Sequence, residues 1–221
     1  QYLYGIKDPY FNKRYKGTLM HNYAAAAGKT LTRTDLFAGD EITVTTKGRV
    51  LKNGALFGAN GDFIALEDEV RNNWDGWYRR LQLNGTSASE RMISKPAIFG
   101  GIALYPVFTP STELCKGQGS TNFYGLYYTT GTGYTKQIFD ITNPDKITFN
   151  YKGQNVTQDV VAVKLKIPMI GCPPPSVGLH TGKESGSTAY LQLSTGVVQL
   201  VNVGNAIYSL STITDWWDRT N

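Results

Sequence analysis

Histidine, cysteine and methionine are scarce in this chain of 221 residues, which holds two His, two Cys and three Met. Two histidines and two cysteines without close-paired spacing exclude the usual zinc sites, and they leave little scope for a thiol nucleophile with a partnered base. No run of eighteen apolar residues occurs, which excludes a transmembrane helix. The start, Gln1-Tyr2-Leu3-Tyr4, lacks a basic segment and apolar stretch, so no signal peptide is expected within the chain. Charged residues make up only 18%. The Gly-x-Ser-x-Gly elbow, the phosphate loop, His-Glu-x-x-His, the dinucleotide fingerprint and the Asp-rich calcium loop are all missing, so no cofactor or metal is expected. Nucleic-acid recognition motifs are missing as well, and no nucleic-acid partner is expected. What the chain does contain is 24 Gly and 14 Tyr with abundant Thr, a composition of strands and tight turns. At 24.4 kDa it fits one domain with a sizeable core.

Charge is distributed unevenly. Residues 1–60 hold nine Lys or Arg against four Asp or Glu, and the remaining residues hold thirteen of each, so the whole net charge of +5 lies in the first stretch. Lys7, Lys13, Arg14, Lys16, Lys29 and Arg33 form a basic segment that suits an acidic partner or an anionic surface; the plainer reading is a solvated loop. Lys13, Arg14 and Lys16 are the contact candidates, within a loop-rich basic excursion over 8–41.

Alternating or β-branched runs recur at 2–7, 42–46, 61–66, 77–83, 96–108, 122–129, 147–151, 160–167, 189–193 and 196–203. Turn residues such as Asn53-Gly54 and Gly100-Gly101 punctuate them, and hairpins in series follow. Short helical turns are expected only at 35–41 and 66–75. The fold class is therefore all-β with antiparallel sheets, and the periodicity leaves a sandwich, a barrel or part of a propeller open. One all-β unit spans 1–221.

Cys115 and Cys172 read as a single disulfide, with two free thiols as the alternative. Glu67, Asp68, Glu69, Asp215 and Asp218 are candidate paired carboxylates, though an exposed helix face and a chain-end loop explain them more simply. Asn84-Gly85-Thr86 and Asn155-Val156-Thr157 are glycosylation triplets of the kind that chance supplies. Most Trp and Tyr belong to the core. In Trp216-Trp217 one indole should face outward, which makes the pair a contact candidate.

From Trp77 onward the order of features is familiar. Gly76-Trp77-Tyr78, the stretch from Glu90 to Pro96, Phe99-Gly100-Gly101, Phe108-Thr109-Pro110-Ser111 with Cys115, and Phe123-Tyr124-Gly125-Leu126-Tyr127-Tyr128 resemble the C-terminal part of the PilY1 family of type IV pilus tip proteins. Val177-Gly178-Leu179, the strand from Ala189 to Leu193 and the late Trp216 or Trp217 before Asp218-Arg219 resemble the way those proteins close. Departures are Lys116-Gly117-Gln118-Gly119 in place of a Gly-Gly after the cysteine, and Pro106 in a strand, where an edge or bulge is expected.

The resemblance implies part of a β-propeller, exported through the envelope to the cell surface or beyond, that supports pilus assembly and surface adhesion without enzymatic activity. The family's calcium loop has no counterpart here, so calcium is not carried over. Partners implied are other protein chains: an N-terminal remainder of the same precursor, pilins or filament subunits, with a host or surface glycan as a further target. A propeller cut in this way exposes strand edges that pair with another chain. The alternatives are a secreted carbohydrate-binding module that uses exposed Trp and Tyr, and a quinoprotein-like propeller enzyme, for which no site is marked.

Overall fold

The computed structural model describes residues 1–7, 11–15, 18–21, 30–81, 89–112, 119–171, 177–182, 186–192 and 198–203. Along these residues run β1 (Tyr2–Ile6), β2 (Phe11–Tyr15), β3 (Thr18–His21), β4 (Phe37–Ala38), β5 (Ile42–Val44), β6 (Val50–Lys52), β7 (Ala55–Leu56), α1 (Phe63–Asn73), β8 (Gly76–Arg80), β9 (Ala97–Phe99), β10 (Ile102–Pro110), β11 (Gly119–Tyr127), β12 (Lys146–Tyr151), β13 (Gln154–Asp159), β14 (Lys164–Gly171), β15 (Val177–Gly182), β16 (Gly186–Gln192) and β17 (Val198–Val203). The expected all-β antiparallel class is what the structure shows. Its sheets are small and open, ordered β1-β8-β4, β14-β11-β10-β9 and β15-β16-β17, with β5-β6-β7 and the pairs β12-β13 and β2-β3 beside them. Among the described residues the one parallel pairing is short, Phe37 and Ala38 of β4 against Trp77 and Tyr78 of β8.

The strands β10 and β11 divide the interior. Nearly every residue of both is buried, because their two faces serve two cores. Ala103, Tyr105, Val107, Tyr124 and Leu126 pack into a cluster with Leu3, Phe37, Leu66 and Trp77. Ile102, Leu104 and Phe123 point the other way, toward Phe139, Val161, Ala189 and Val201. Strand side chains alternate between faces, so an unbroken apolar run in sequence means a strand covered on both sides. Each fully buried aliphatic or aromatic side chain here contributes about 1.5–3 kcal/mol. The sheets β1-β8-β4 and β15-β16-β17 thus contribute to the two different cores that the four-stranded sheet separates.

Turn chemistry fixes the hairpins. Asn53 and Gly54 have φ of +50° and +84°, and Gly100 and Gly101 have +56° and +87°. They close the two-residue loops between Lys52 and Ala55 and between Phe99 and Ile102. Both central residues of such a loop need positive φ, which Asn-Gly and Gly-Gly supply at little cost. Pro106 sits opposite Phe123 in β10. Its neighbour of like parity, Phe108, exchanges backbone bonds with Arg91 on the flank away from β11. The missing N–H of Pro106 therefore faces beyond the end of the three-residue β9, and no bond to β11 is lost.

Four expected elements differ. The run 61–66 is not a strand: α1 begins at Phe63, because Phe63, Leu66 and Val70 recur at helical spacing and all three are buried against the first core. Helix 66–75 accordingly starts earlier and ends at Asn73. The helical turn at 35–41 is split into two 3₁₀ turns, Arg33–Asp35 and Gly39–Glu41, with β4 between them, since Phe37 must turn inward beside Trp77. The strand expected over 160–167 starts at Lys164. Within 8–41, β2 and β3 form a hairpin, and Leu36 and Phe37 return to the core.

Candidate functional site

The opening strand lines a recess at the surface. β1 lies at the edge of its sheet, antiparallel to β8. A groove of about 690 Å³ takes in every residue from Tyr2 to Lys7, and it is walled opposite by Met92, Pro96, Ile98, Tyr105 and Tyr128. Its rim is apolar and wet: Tyr4 is 49% exposed, Ile6 51%, Ile98 65% and Tyr128 51%. Apolar side chains gathered this way at the surface mark interaction sites.

The alternation of β1 places Leu3 and Gly5 inward and Tyr2, Tyr4 and Ile6 outward. On the outward face the Tyr2 ring lies 6.0 Å from that of Tyr4 and 5.9 Å from that of Tyr78. The Arg33 guanidinium covers both Tyr2 and Tyr78, at 5.2 and 5.9 Å, and donates to the Tyr2 hydroxyl at 2.9 Å. Tyrosine and arginine in such a cluster are common anchors of protein contacts.

Several cations of the basic segment are engaged in the fold. The Lys7 ammonium donates to the carbonyls of Val70, Arg71 and Trp74, and so closes the C-terminal end of α1, where carbonyls lack partners and the dipole favours a cation. Burial holds its pKa below the usual lysine value, against the opposing pull of Asp75. Arg49 bonds Asp62 at 2.8 Å and lies 4.5 Å over the Tyr151 ring. The candidate carboxylates of α1 are likewise occupied: Glu67 accepts from the Tyr127 hydroxyl, Asp68 pairs with Arg71, and Glu69 accepts from Trp74 and Asn73. Burial, then the bond to Glu67, pushes the Tyr127 hydroxyl up to about 12.

Glu90 was legible only as part of a family string, yet it is 1% exposed and organises the centre. Its carboxylate accepts from Asn122 Nδ2 at 2.8 Å and Tyr124 Oη at 2.7 Å, and meets Lys164 Nζ at 2.6 Å. The signal for it is the pair Asn122 and Tyr124, two polar groups two residues apart on one face of a strand buried on both sides. A buried charge of this kind persists only when paired and hydrogen-bonded.

The residues singled out in sequence fall mostly elsewhere. Cys115, Cys172, Lys16, Trp216 and Trp217 lie outside the described residues. Lys13 and Arg14 are on β2, paired with Met20 and Leu19 of β3, and their side chains are outside the described ones. One relationship bears on the cysteines: Gly119 and Gly171 are paired across β11 and β14, Cys172 follows Gly171 directly, and Cys115 precedes Gly119 by four positions. No group of three or more His, Cys, Asp or Glu gathers among the described residues, and none of their helices is long and apolar enough to cross a membrane.

No protein-family profile matches the chain. In an alignment 119 positions long that covers 48% of the chain, it is 27% identical to the type IV pilus biogenesis factor PilY1 of Pseudomonas aeruginosa, from strain PAO1 and equally from strain PAK. The chain is PilY1-like. The match spans a tenth of the length of those relatives. Among solved structures, the crystal structure of the Pseudomonas aeruginosa PilY1 C-terminal domain aligns with 92% of this chain and 37% of its own, at 22% identity and a TM-score of 0.48.

Proposed function

We propose that the chain is a non-enzymatic, surface-exposed part of a type IV pilus system, acting in pilus assembly and tip adhesion and held among other protein chains through exposed strand edges. The observation that carries this reading is the 27% identity, in an alignment 119 positions long, to a pilus biogenesis factor. The structure is compatible with it in two respects. Polar side chains that would suit catalysis are tied into the fold, as Glu67, Glu69 and Glu90 are. The edge strand β1 and its apolar groove offer a place for another chain.

Deletion of the gene for this chain in its own organism tests the reading. Surface pili are counted by electron microscopy, and attachment to an abiotic surface is measured with and without complementation. Fewer pili or weaker attachment, restored by the intact gene, is the expected result; unchanged pili and attachment overturn it.

A second reading has its own observation. The outward cluster of Tyr2, Tyr4 and Tyr78 under Arg33 is a surface on which a sugar ring can stack. Glycan-array binding that is abolished by Tyr4→Ala supports it, and an array without binding removes it.

A further inference from the structure

Hydrogen bonds outside the strands reveal which way β1 points its backbone. The Gln1 carbonyl accepts from Leu81 N and the Lys7 amide donates to Asp75 O, so the odd-numbered residues direct their groups toward β8. Antiparallel pairing alternates, and the N–H and C=O of Tyr2, Tyr4 and Ile6 therefore face the open edge. None of these six groups has a backbone partner among the described residues. An edge of this kind is a template for an added strand.

The groove beside that edge has the dimensions of one strand. Strand separation, sheet spacing and rise per residue give roughly 160 Å³ per residue of packed strand, so about 690 Å³ holds about four residues. A second copy of this chain would bring its own β1 together with β8, which is too much for that space. The far wall is apolar, with Ile98 and Tyr128 half or more exposed, and suits an aliphatic side chain at alternate positions. Beside Lys7, at one end, Arg71 also lines the groove, its side chain 65% exposed and shared with Asp68.

We propose that the β1 groove takes a single extended segment of a partner protein, hydrogen-bonded to the open edge of β1, with apolar side chains at alternate positions. This rests on the reading of the chain as one member of an assembly.

The probe is a fluorescent octapeptide, Thr-Val-Thr-Val-Thr-Val-Thr-Gly, titrated by anisotropy against the full chain. Two variants accompany it. Tyr4→Pro removes an outward N–H and leaves the β8 ladder intact, and Ile98→Asp charges the exposed wall. Ile98 is 65% exposed, so this second variant keeps the fold if the first does not, and melting curves of both check it. Saturable binding that weakens at least tenfold in either folded variant, and is lost when alternate peptide nitrogens are methylated, is the expected result. Absence of binding, or binding indifferent to Ile98→Asp and to methylation, overturns the proposal. The outcome separates from that of the gene deletion: a pilus defect without peptide binding discards the groove alone, and peptide binding without a pilus defect discards the pilus reading alone.

Discussion

Gly131 lies directly against the indole of Trp77: a β-carbon there would stand 2.3 Å from ring atoms Cδ2 and Cε3. On its other side the ring covers Gly5, where a β-carbon would be 2.2 Å from Cε2. The indole N–H donates to the Tyr128 carbonyl at 2.7 Å, so the side chain locks β1, β8 and the turn after β11 together. Gly131→Ala is expected to combine overpacking with a left-handed backbone at φ +69°, a loss of about 3 kcal/mol and a melting temperature lower by roughly 10 °C. Gly54→Ala isolates the backbone effect, since φ there is +84° and nothing lies within 4 Å. Thermal melts of the two variants should differ by at least half the Gly131 effect; equal losses would refute the clash.

The Glu90 cluster makes a second expectation. Glu90→Ala removes the buried carboxylate that Lys164, Asn122 and Tyr124 all meet and should cost about 3 kcal/mol. In a double-mutant cycle with Lys164→Met, denaturant midpoints should show coupling of more than about 1 kcal/mol. Additive losses would mean that the ion pair is incidental to the centre.

Alkaline pH should loosen the fold. Burial raises the hydroxyl pKa of Tyr105, of Tyr124 and of Tyr127, the last to about 12 from 10.0, with Glu90 and Glu67 reinforcing the latter two. A raised folded-state value means that the native state keeps its proton longer. The contribution is complete below pH 10 and is lost as pH rises toward 12. Lys7 and Arg79, whose values burial lowers, act in the opposite sense as pH approaches their own ranges, but two groups stand against three. Urea midpoints measured across this range should fall, and Tyr127→Phe should flatten part of the slope. A midpoint that holds level to pH 12 would contradict the burial of these hydroxyls.

Cys115 and Cys172 should be joined. The strand ends beside them are paired through Gly119 and Gly171, and four residues of chain reach about 14 Å at most. Closure of that loop is worth about 4 kcal/mol on chain entropy, so reductant should lower the melting temperature, and a Cys115–Cys172 peptide should appear in non-reducing digests. Two free thiols in the native protein would rule the bridge out.

Much of this fold could be read in advance where one local signal had one physical meaning. Asn53-Gly54 and Gly100-Gly101 marked two-residue hairpins because few other residues tolerate that backbone, and the apolar runs of β10 and β11 marked strands. The start of the helix is not legible locally, since Gly61 to Leu66 alternates well enough for a strand and only the spacing of Phe63, Leu66 and Val70 over two turns reveals the inward face. The site was less legible. Lys7 and Arg33 looked like free charge, whereas one closes α1 and the other covers two tyrosines, contacts between residues 31 to 67 positions apart. The groove depends on β1 being an edge, a property of sheet order that no local pattern encodes.

The most direct test of the account is to shear pili from cells of the source organism and probe the sheared fraction and the cell pellet for this chain. The account expects the chain in the sheared fraction, and its loss from that fraction in a strain that makes no pili. A chain that stays with the cells whether or not pili are present would contradict it.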